Sequence, residues 1–382
     1  MNIQEIRRRF FHGLLRWLFL STDVCLRRGE QFSRLQVREI LVCRPNHRLG
    51  NLLLLTPLIV ELQRNFPMAQ VDIVLAGDRG AELFRTFPNV RHIYVLSRRM
   101  VRNPFAVLRT VMRIRRTTYD LAVDPCESSQ SARFLLAMSK ATHMLGIPRQ
   151  SSADSSGTRV GHAGPTHMAK WPVFLLRRRL PGSLSAHHDD YPNLTIQLFR
   201  DERAQARHVL DTLMEGWNTS TAQIVVGVFA EATGAKRYDE GWWQRFVEEI
   251  RANNPACVIV EIAPPDGRSR LSARFPVFSS PSPREVAAVI ANMNCFVSAD
   301  CGVMHLASAS GTPTIGLFSV SSLEKYAPYG PHDLAITTNG KTPEEVARLA
   351  NEVVEAASPN WSGSYPRSTG AQHLDKCGSD SH

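Results

Sequence analysis

From residue 39 onward, short apolar runs alternate with longer segments of helical period. The runs at 40–43, 71–76, 93–96, 121–124 and 144–147 have the length and continuity of buried strands, and the segments 51–66, 81–86, 104–116 and 129–139 between them read as helices. Such alternation builds a parallel sheet covered by helices. From 150 to 186, Ser, Gly, Pro and Arg dominate without a sustained period, so an irregular surface excursion is expected there. Helical period resumes over 194–213. A second series follows, with strands at 224–229, 258–262, 295–297 and 314–318 and helices at 242–252, 283–291, 304–309 and 344–357.

Two Rossmann-like units in tandem, over 39–215 and 216–357, are the simplest α/β account. In open sheets of this kind ligands bind beyond the carboxyl ends of the strands, so the expected site is the cleft where the two units face each other. Before them, residues 1–38 form a basic amphipathic extension: Arg7, Arg8 and Arg9 precede Phe10, Phe11, Leu14, Trp17 and Leu18, a run too short to cross a bilayer. A helix over 5–20 has the composition of an interfacial helix or of one packed on the domain behind it. The polar segment 358–382 is expected to be disordered.

At 382 residues, 43% of them hydrophobic, the chain is long enough for two domains with their own cores. A net charge of +10 and a pI near 9.6 suggest an acidic partner: nucleic acid, an anionic membrane or a phosphorylated substrate. The seven cysteines are odd in number, scattered and never in a C-x-x-C pair, which argues against a disulfide framework or a zinc site and suits a reducing cytoplasm. The pair His187-His188 with Asp189-Asp190 lies in a polar linker, where four adjacent residues do not converge on one ion. No G-x-G-x-x-G follows the first strand and no P-loop is present, which lowers the odds of a dinucleotide oxidoreductase or an NTPase.

Three segments carry candidate chemistry. In 297–307 a strand ends, Asp300 stands at the expected helix N-cap, and Gly302 and Val303 open a helix whose free N–H groups make an anion site, with His305 as a further donor that is easily made cationic beside a phosphate. Spacing alone leaves open that Asp300 only caps the helix and that His305 is an ordinary half-buried histidine. The loop after the strand 224–229 brings Thr233, Lys236 and Arg237 to the same cleft, where Lys236 can neutralise charge developing on a departing diphosphate, or simply be solvated. In the first unit, Arg48, Gly50 and Asn51 lie in the turn after the first strand, with Thr56-Pro57 one turn on; Gly50 suits close approach of an acceptor.

Taken together, Arg48-Leu-Gly-Asn-Leu-Leu-Leu-Leu-Thr-Pro57, Ala235-Lys-Arg-Tyr238, Ser298-Ala-Asp-Cys-Gly-Val-Met-His-Leu-Ala307 with Gly311-Thr-Pro-Thr314, and Tyr326-Ala-Pro-Tyr-Gly330 resemble the lipopolysaccharide heptosyltransferases, glycosyltransferase family 9, in the family's order and over about 39–355. The resemblance implies a GT-B fold, inverting transfer from a nucleotide-activated heptose such as ADP-heptose, a lipid-linked glycan acceptor, and no cofactor or metal; the chain has no D-x-D segment. It implies donor binding by Thr233, Lys236, Arg237, Asp300, Gly302, Val303 and His305. It also places Asn51 where the family carries the Asp proposed as general base, and a neutral amide cannot take the acceptor's proton. Asp124, at the end of the strand 121–124, is the replacement best placed by sequence, with helix capping and acceptor binding as other roles for it; His47 is next. The competing reading is a catalytically silent nucleotide-sugar-binding homologue. Nucleic-acid binding rests on basicity alone. Eight arginines between Arg91 and Arg116 with no acidic residue among them point to a peripheral contact with an anionic membrane, or to the acceptor's phosphates, in a cytoplasmic protein.

Overall fold

The computed structural model describes residues 36–97, 104–126, 129–146, 164–178, 180, 190–215, 217 and 224–357. The expected helix over 5–20, Arg98, Arg99, Arg102, His187, His188, Asp189 and the tail 358–382 lie outside the described residues.

Strands β1 (Glu39–Arg44), β2 (Gln70–Ala76), β3 (Val90–Leu96), β4 (Leu121–Asp124) and β5 (His143–Gly146) form one parallel sheet in the order β3-β2-β1-β4-β5. A second parallel sheet has the order β11-β10-β9-β6-β7-β8. Its strands are β6 (Ile224–Phe229), β7 (Cys257–Ile262), β8 (Val277–Phe278), β9 (Cys295–Ala299), β10 (Thr314–Phe318) and β11 (Leu334–Thr337). The expected pair of parallel sheets is therefore present, with β8 and β11 added as short edge strands that the apolar pattern does not reveal. In each sheet the chain order reverses once, between β1 and β4 and between β6 and β9, and a crevice opens at the strand carboxyl ends at such a switch point.

The helices are α1 (Leu49–Leu53), α2 (Thr56–Asn65), α3 (Pro104–Ile114), α4 (Gln130–Ser139), α5 (Lys170–Arg177), α6 (Arg200–Glu215), α7 (Glu240–Asn253), α8 (Pro283–Ile290), α9 (Gly302–Ser310), α10 (Leu323–Tyr326) and α11 (Pro343–Ala356). Their starts are written in the sequence. Ser129, Asp239, Ser282 and Thr342 each accept a first-turn N–H, Pro283 and Pro343 follow two of these caps, and Thr342 with Glu345 closes a capping box. One apolar cluster runs across both sheets, joining Leu52, Leu58 and Ile73 to Phe229, Val286 and Leu306. Two further clusters fill the outer faces, under α3 and α4 and under α7 and α11.

Four expectations need correction. The helix read over 51–66 is two helices, because the Thr56 hydroxyl donates to Leu53 O at 2.8 Å while accepting Thr195 N–H at 3.1 Å, and Pro57 lacks the N–H that continuity requires. The segment 81–86 is a tighter 3₁₀ run at Asp78–Leu83. The helix read from 194 begins only at Arg200; the residues before it are irregular, with Gln197 at φ +48°, and lie against both units, Ile196 N–H donating to Ala309 O at 3.1 Å and Thr195 N–H to Thr56 Oγ1 at 3.1 Å. The excursion over 150–186 carries α5, which buries Pro172, Val173 and Leu176.

That helix is held by a buried ion pair. Arg177 Nε and Nη2 reach Glu61 Oε1 and Oε2 of α2 at 2.7 and 3.0 Å, Arg177 Nη2 also donates to Asp190 O at 2.7 Å, and Asn65 Nδ2 donates to Glu61 Oε1 at 3.0 Å. Both side chains are withdrawn from water, so neither charge tolerates loss of its partner. Arg177→Met should lower stability by about 3–5 kcal/mol in urea titration, while the pair Glu61→Leu with Arg177→Met should recover most of that loss.

Candidate functional site

Both switch-point crevices carry ionisable side chains. At the end of β6 the chain enters a 3₁₀ turn, Gly234–Lys236, in which Gly234 takes φ +63° over open space and turns Lys236 back toward β9. Lys236 Nζ meets Asp300 Oδ2 at 2.5 Å, the lysine about one-third exposed and the carboxylate buried. This corrects the N-cap expectation. The N-cap of α9 is Cys301 in extended backbone, with no side-chain cap bond, and Asp300 faces Lys236 instead. In the first turn of α9 the Val303 and Met304 N–H groups meet only the Cys301 thiol, a weak acceptor, and they lie in the unit that carries Lys236. Thr233 and Arg237 are exposed in the same turn, Arg237 lying 3.8 Å from Glu231.

His305 is buried one turn into α9, and its Nδ1 has no hydrogen-bond partner among the described residues. Burial holds its pKa down at about 4 against the opposing pull of Asp300. The expected readily charged histidine is thus a neutral one: desolvation outweighs the neighbouring carboxylate.

Facing this turn is the N-terminal end of α1. Gly50 and Gly302 pack backbone against backbone: a Cβ at Gly302 would lie 3.0 Å from Leu49 Cβ and 3.1 Å from Gly50 N, and one at Gly50 would lie 2.9 Å from His305 Cδ2. Arg48 and His47 are exposed at this edge, with Arg48 N–H donating to Asn46 Oδ1 at 2.8 Å, and Asn51 is half-buried. Beside the crossing lies a cavity of about 220 Å³ with walls from both units, among them His47, Leu49, Arg79, Phe229, Val303 and Leu306. Val303 thus lines an apolar recess with Leu306 of the same helix, which its place in the sequence motif does not reveal.

The first crevice holds the second set. Val42 and Val123 are paired between β1 and β4, which brings Arg44 and Asp124 to one end of the sheet. Asp124 Oδ1 accepts Cys126 N–H at 2.9 Å, Arg44 Nη1 donates to Cys126 Sγ at 2.7 Å, and Arg44 Nε donates to Asn51 O at 3.4 Å. Asp124 caps this turn and not the following helix, which Ser129 caps. Burial raises the Asp124 pKa to about 6, with Arg133 and Arg44 opposing from nearby. Arg44 links the Asp124–Cys126 turn to Asn51 at the start of α1 and was missed in the sequence, where a strand-end arginine carries no motif.

Arg91, first of the eight arginines, is not free for an outside anion. It donates bidentately to Glu39 at 2.9 and 2.6 Å and to the buried Asp72 at 3.1 and 3.0 Å, where Tyr119 also donates at 2.6 Å. Among the described residues no helix is long and apolar enough to cross a membrane.

The family model described as Glycosyltransferase family 9 (heptosyltransferase) matches residues 107–353, which leaves Asn51 and α1 ahead of the match. Lipopolysaccharide heptosyltransferase 3 of Escherichia coli K12 is 23% identical over 307 residues, spanning 73% of this chain and 82% of that protein. Among solved structures, a family 9 glycosyl transferase of Veillonella parvula superposes with a TM-score of 0.67 at 16% identity, covering 85% of this chain and 98% of its own. The E. coli heptosyltransferase WaaC, solved with ADP, gives 0.60 at 18% identity, covering 84% and 100%. At such identities these two likenesses establish the fold, the GT-B arrangement of two facing α/β units.

Since neither neighbour of the Gly302 position can yield without moving backbone, Gly302→Ala should cost about 1–3 kcal/mol in thermal or chemical unfolding, whereas Gly311→Asn, beyond α9 in left-handed backbone over open space, should cost much less.

Proposed function

The chain belongs to glycosyltransferase family 9, and from that premise we propose that it transfers a heptose, with inversion and without a metal, from ADP-heptose held by its second unit to a lipid-linked glycan of the lipopolysaccharide type held by its first. That it is a glycosyltransferase follows from the family. The observation that carries the finer reading is the Lys236–Asp300 pair at the start of α9, a helix whose Val303 and Leu306 line an apolar recess. A diphosphate placed there meets the helix N–H groups and the ammonium, and the recess takes the nucleoside. The WaaC structure was solved with ADP, which supports the same nucleotide here.

In this mechanism the bond from the anomeric carbon to the diphosphate breaks as the acceptor oxygen attacks from the opposite face. The negative charge that grows on the leaving diphosphate is stabilised by Lys236 and by the first turn of α9, which is the work a metal performs in other glycosyl transfers. Asp300 holds Lys236 in place. His305, neutral and with an unpartnered Nδ1, serves as a hydrogen-bonding group rather than a charge. Thr233 and Arg237 flank the phosphates from the exposed side, and Arg48, Gly50 and Asn51 border the acceptor. The acceptor's proton passes to Asp124, whose pKa near 6 leaves it ionised at neutral pH yet basic enough to accept. Asn51, reached through Arg44 and Cys126, orients the hydroxyl. A lipid-linked acceptor places the protein in the cytoplasm against the membrane that carries it.

Lys236→Ala should slow transfer or weaken donor binding roughly tenfold to more than a hundredfold, as loss of a charge-assisted contact of about 1.5–3 kcal/mol requires; unchanged kinetics would remove Lys236 from the site. Asp124→Asn should lower kcat by roughly 10²–10⁴-fold with the ADP-induced rise in Tm intact, and Asn51→Ala should be milder. With Asp124 as base, kcat/KM should climb with pH through about 6 and level above it, because the group works only once its proton is gone. If Asn51→Asp alone creates activity in an inert wild type, the silent-homologue reading is correct instead.

A further inference from the structure

Helix α3 has one side in the protein and another bare. Val111 and Ile114 are buried, with Val107 packed against the same cluster, and they tie the helix to the outer face of the first sheet. Phe105, Leu108 and Met112 point elsewhere: they are 81, 58 and 57% exposed. Their spacing of three and four residues keeps them within a 60° arc of the helix, so they form one apolar ridge and not three scattered side chains. A ridge of this kind on a soluble surface marks a contact with something apolar.

Charge identifies the occupant. Next to the ridge on the same helix stand Arg109 and Arg113, with Arg115 and Arg116 just beyond its end; all four are exposed and have no carboxylate partner among the described residues. No acidic residue occurs between Arg91 and Arg116. Arg109 and Arg113, with Tyr94, Ser97 and Thr110, also line a pocket of about 100 Å³ between β3 and α3, polar and of a size for a phosphate group. Apolar side chains that need a dry medium, cations beside them and a phosphate-sized pocket lined by two of those cations describe the boundary of an anionic bilayer, where acyl chains and phosphate headgroups lie close to each other.

We propose that the exposed face of α3 is the membrane-docking surface of this protein: Phe105, Leu108 and Met112 enter the acyl region of an anionic bilayer, while Arg109 and Arg113 bind its phosphate headgroups. The proposal names the contact implied by a lipid-linked acceptor and so rests on that reading, but its test needs neither donor nor transfer. β3, beneath α3, is the edge strand of the first sheet, so docking here leaves the second sheet clear of the bilayer for a soluble nucleotide sugar.

The test uses the full chain with vesicles of phosphatidylcholine alone or with phosphatidylglycerol. Phe105→Trp should be quenched by lipids brominated on their acyl chains in anionic vesicles and spared in neutral ones, relative to the wild-type tryptophan background; absence of that added quenching overturns the proposal, even if the protein sediments through its N-terminal residues. Arg109→Gln with Arg113→Gln should weaken co-sedimentation by roughly fivefold for each arginine, or about 1 kcal/mol each. High salt should weaken the wild type and leave less to lose in this variant. Phe105→Gln with Leu108→Gln and Met112→Gln should lose Tm-neutral sedimentation, and since all three side chains are exposed, a lowered Tm would mean that they pack within the fold and would overturn the assignment. If the arginine variant sediments as wild type but loses transfer to a detergent-dispersed acceptor, the cations serve the acceptor and the docking surface is wrong. Failure of transfer in every variant and in wild type, with the quenching retained, would reject the catalytic reading and keep this one.

Discussion

Backbone meets backbone at Gly50 and Gly302, and the two units share a site only because neither position carries a side chain. A methyl group on either would push against a main chain or a buried imidazole. From this crossing the geometry spreads outward: α9 is held with its first turn toward the cleft, His305 is covered by Gly50, and the cavity beside them takes its walls from both units. Lys236 and Asp300 follow strands of the second sheet, and Arg44, Asn51 and Asp124 lie at strand ends of the first. Contact between two helix starts sets the distance between them.

Burial then decides which groups carry charge. Lys236 and Asp300 face each other with the lysine still partly wet, so the pair keeps its charges and the ammonium stays open to solvent. Arg177 and Glu61 are dry and doubly bonded, and their role is to fasten α5. His305, within reach of Asp300's field, is held neutral by burial, and the same cause raises the Asp124 carboxyl from its ordinary range to about 6. The sign of each shift follows from desolvation outweighing the local partners.

The sheets were legible because their strands are short, apolar and closely bounded, and so was the approach of Lys236 and Asp300, since both follow strands that turn out to flank one switch point. Asp300's role was not. Its position before a glycine and a helix looks like an N-cap, and only the turn of Gly234 shows that a lysine claims its carboxylate. The break between α1 and α2 depends on Thr56 bonding to Thr195, which is far away along the chain, and α5 sits in a stretch whose composition masks a helix held by one distant glutamate. Local pattern cannot report such long-range partners. Arg44 is invisible for the same reason: its meaning comes from Cys126 and Asn51 meeting it in space.

The apolar cluster that runs from Leu58 and Ile73 through Leu52 to Leu306 and Val286 has a consequence for how such a chain can change by recombination. Each half has a sheet of its own, yet neither owns all the side chains that keep it dry. A chimaera that joined this second half to a first half from another lineage would inherit unmatched surfaces along that cluster, and a residue larger than glycine at either side of the helix crossing would hold the halves apart. Loops that border this seam can therefore be exchanged with the seam left whole, whereas the halves themselves cannot.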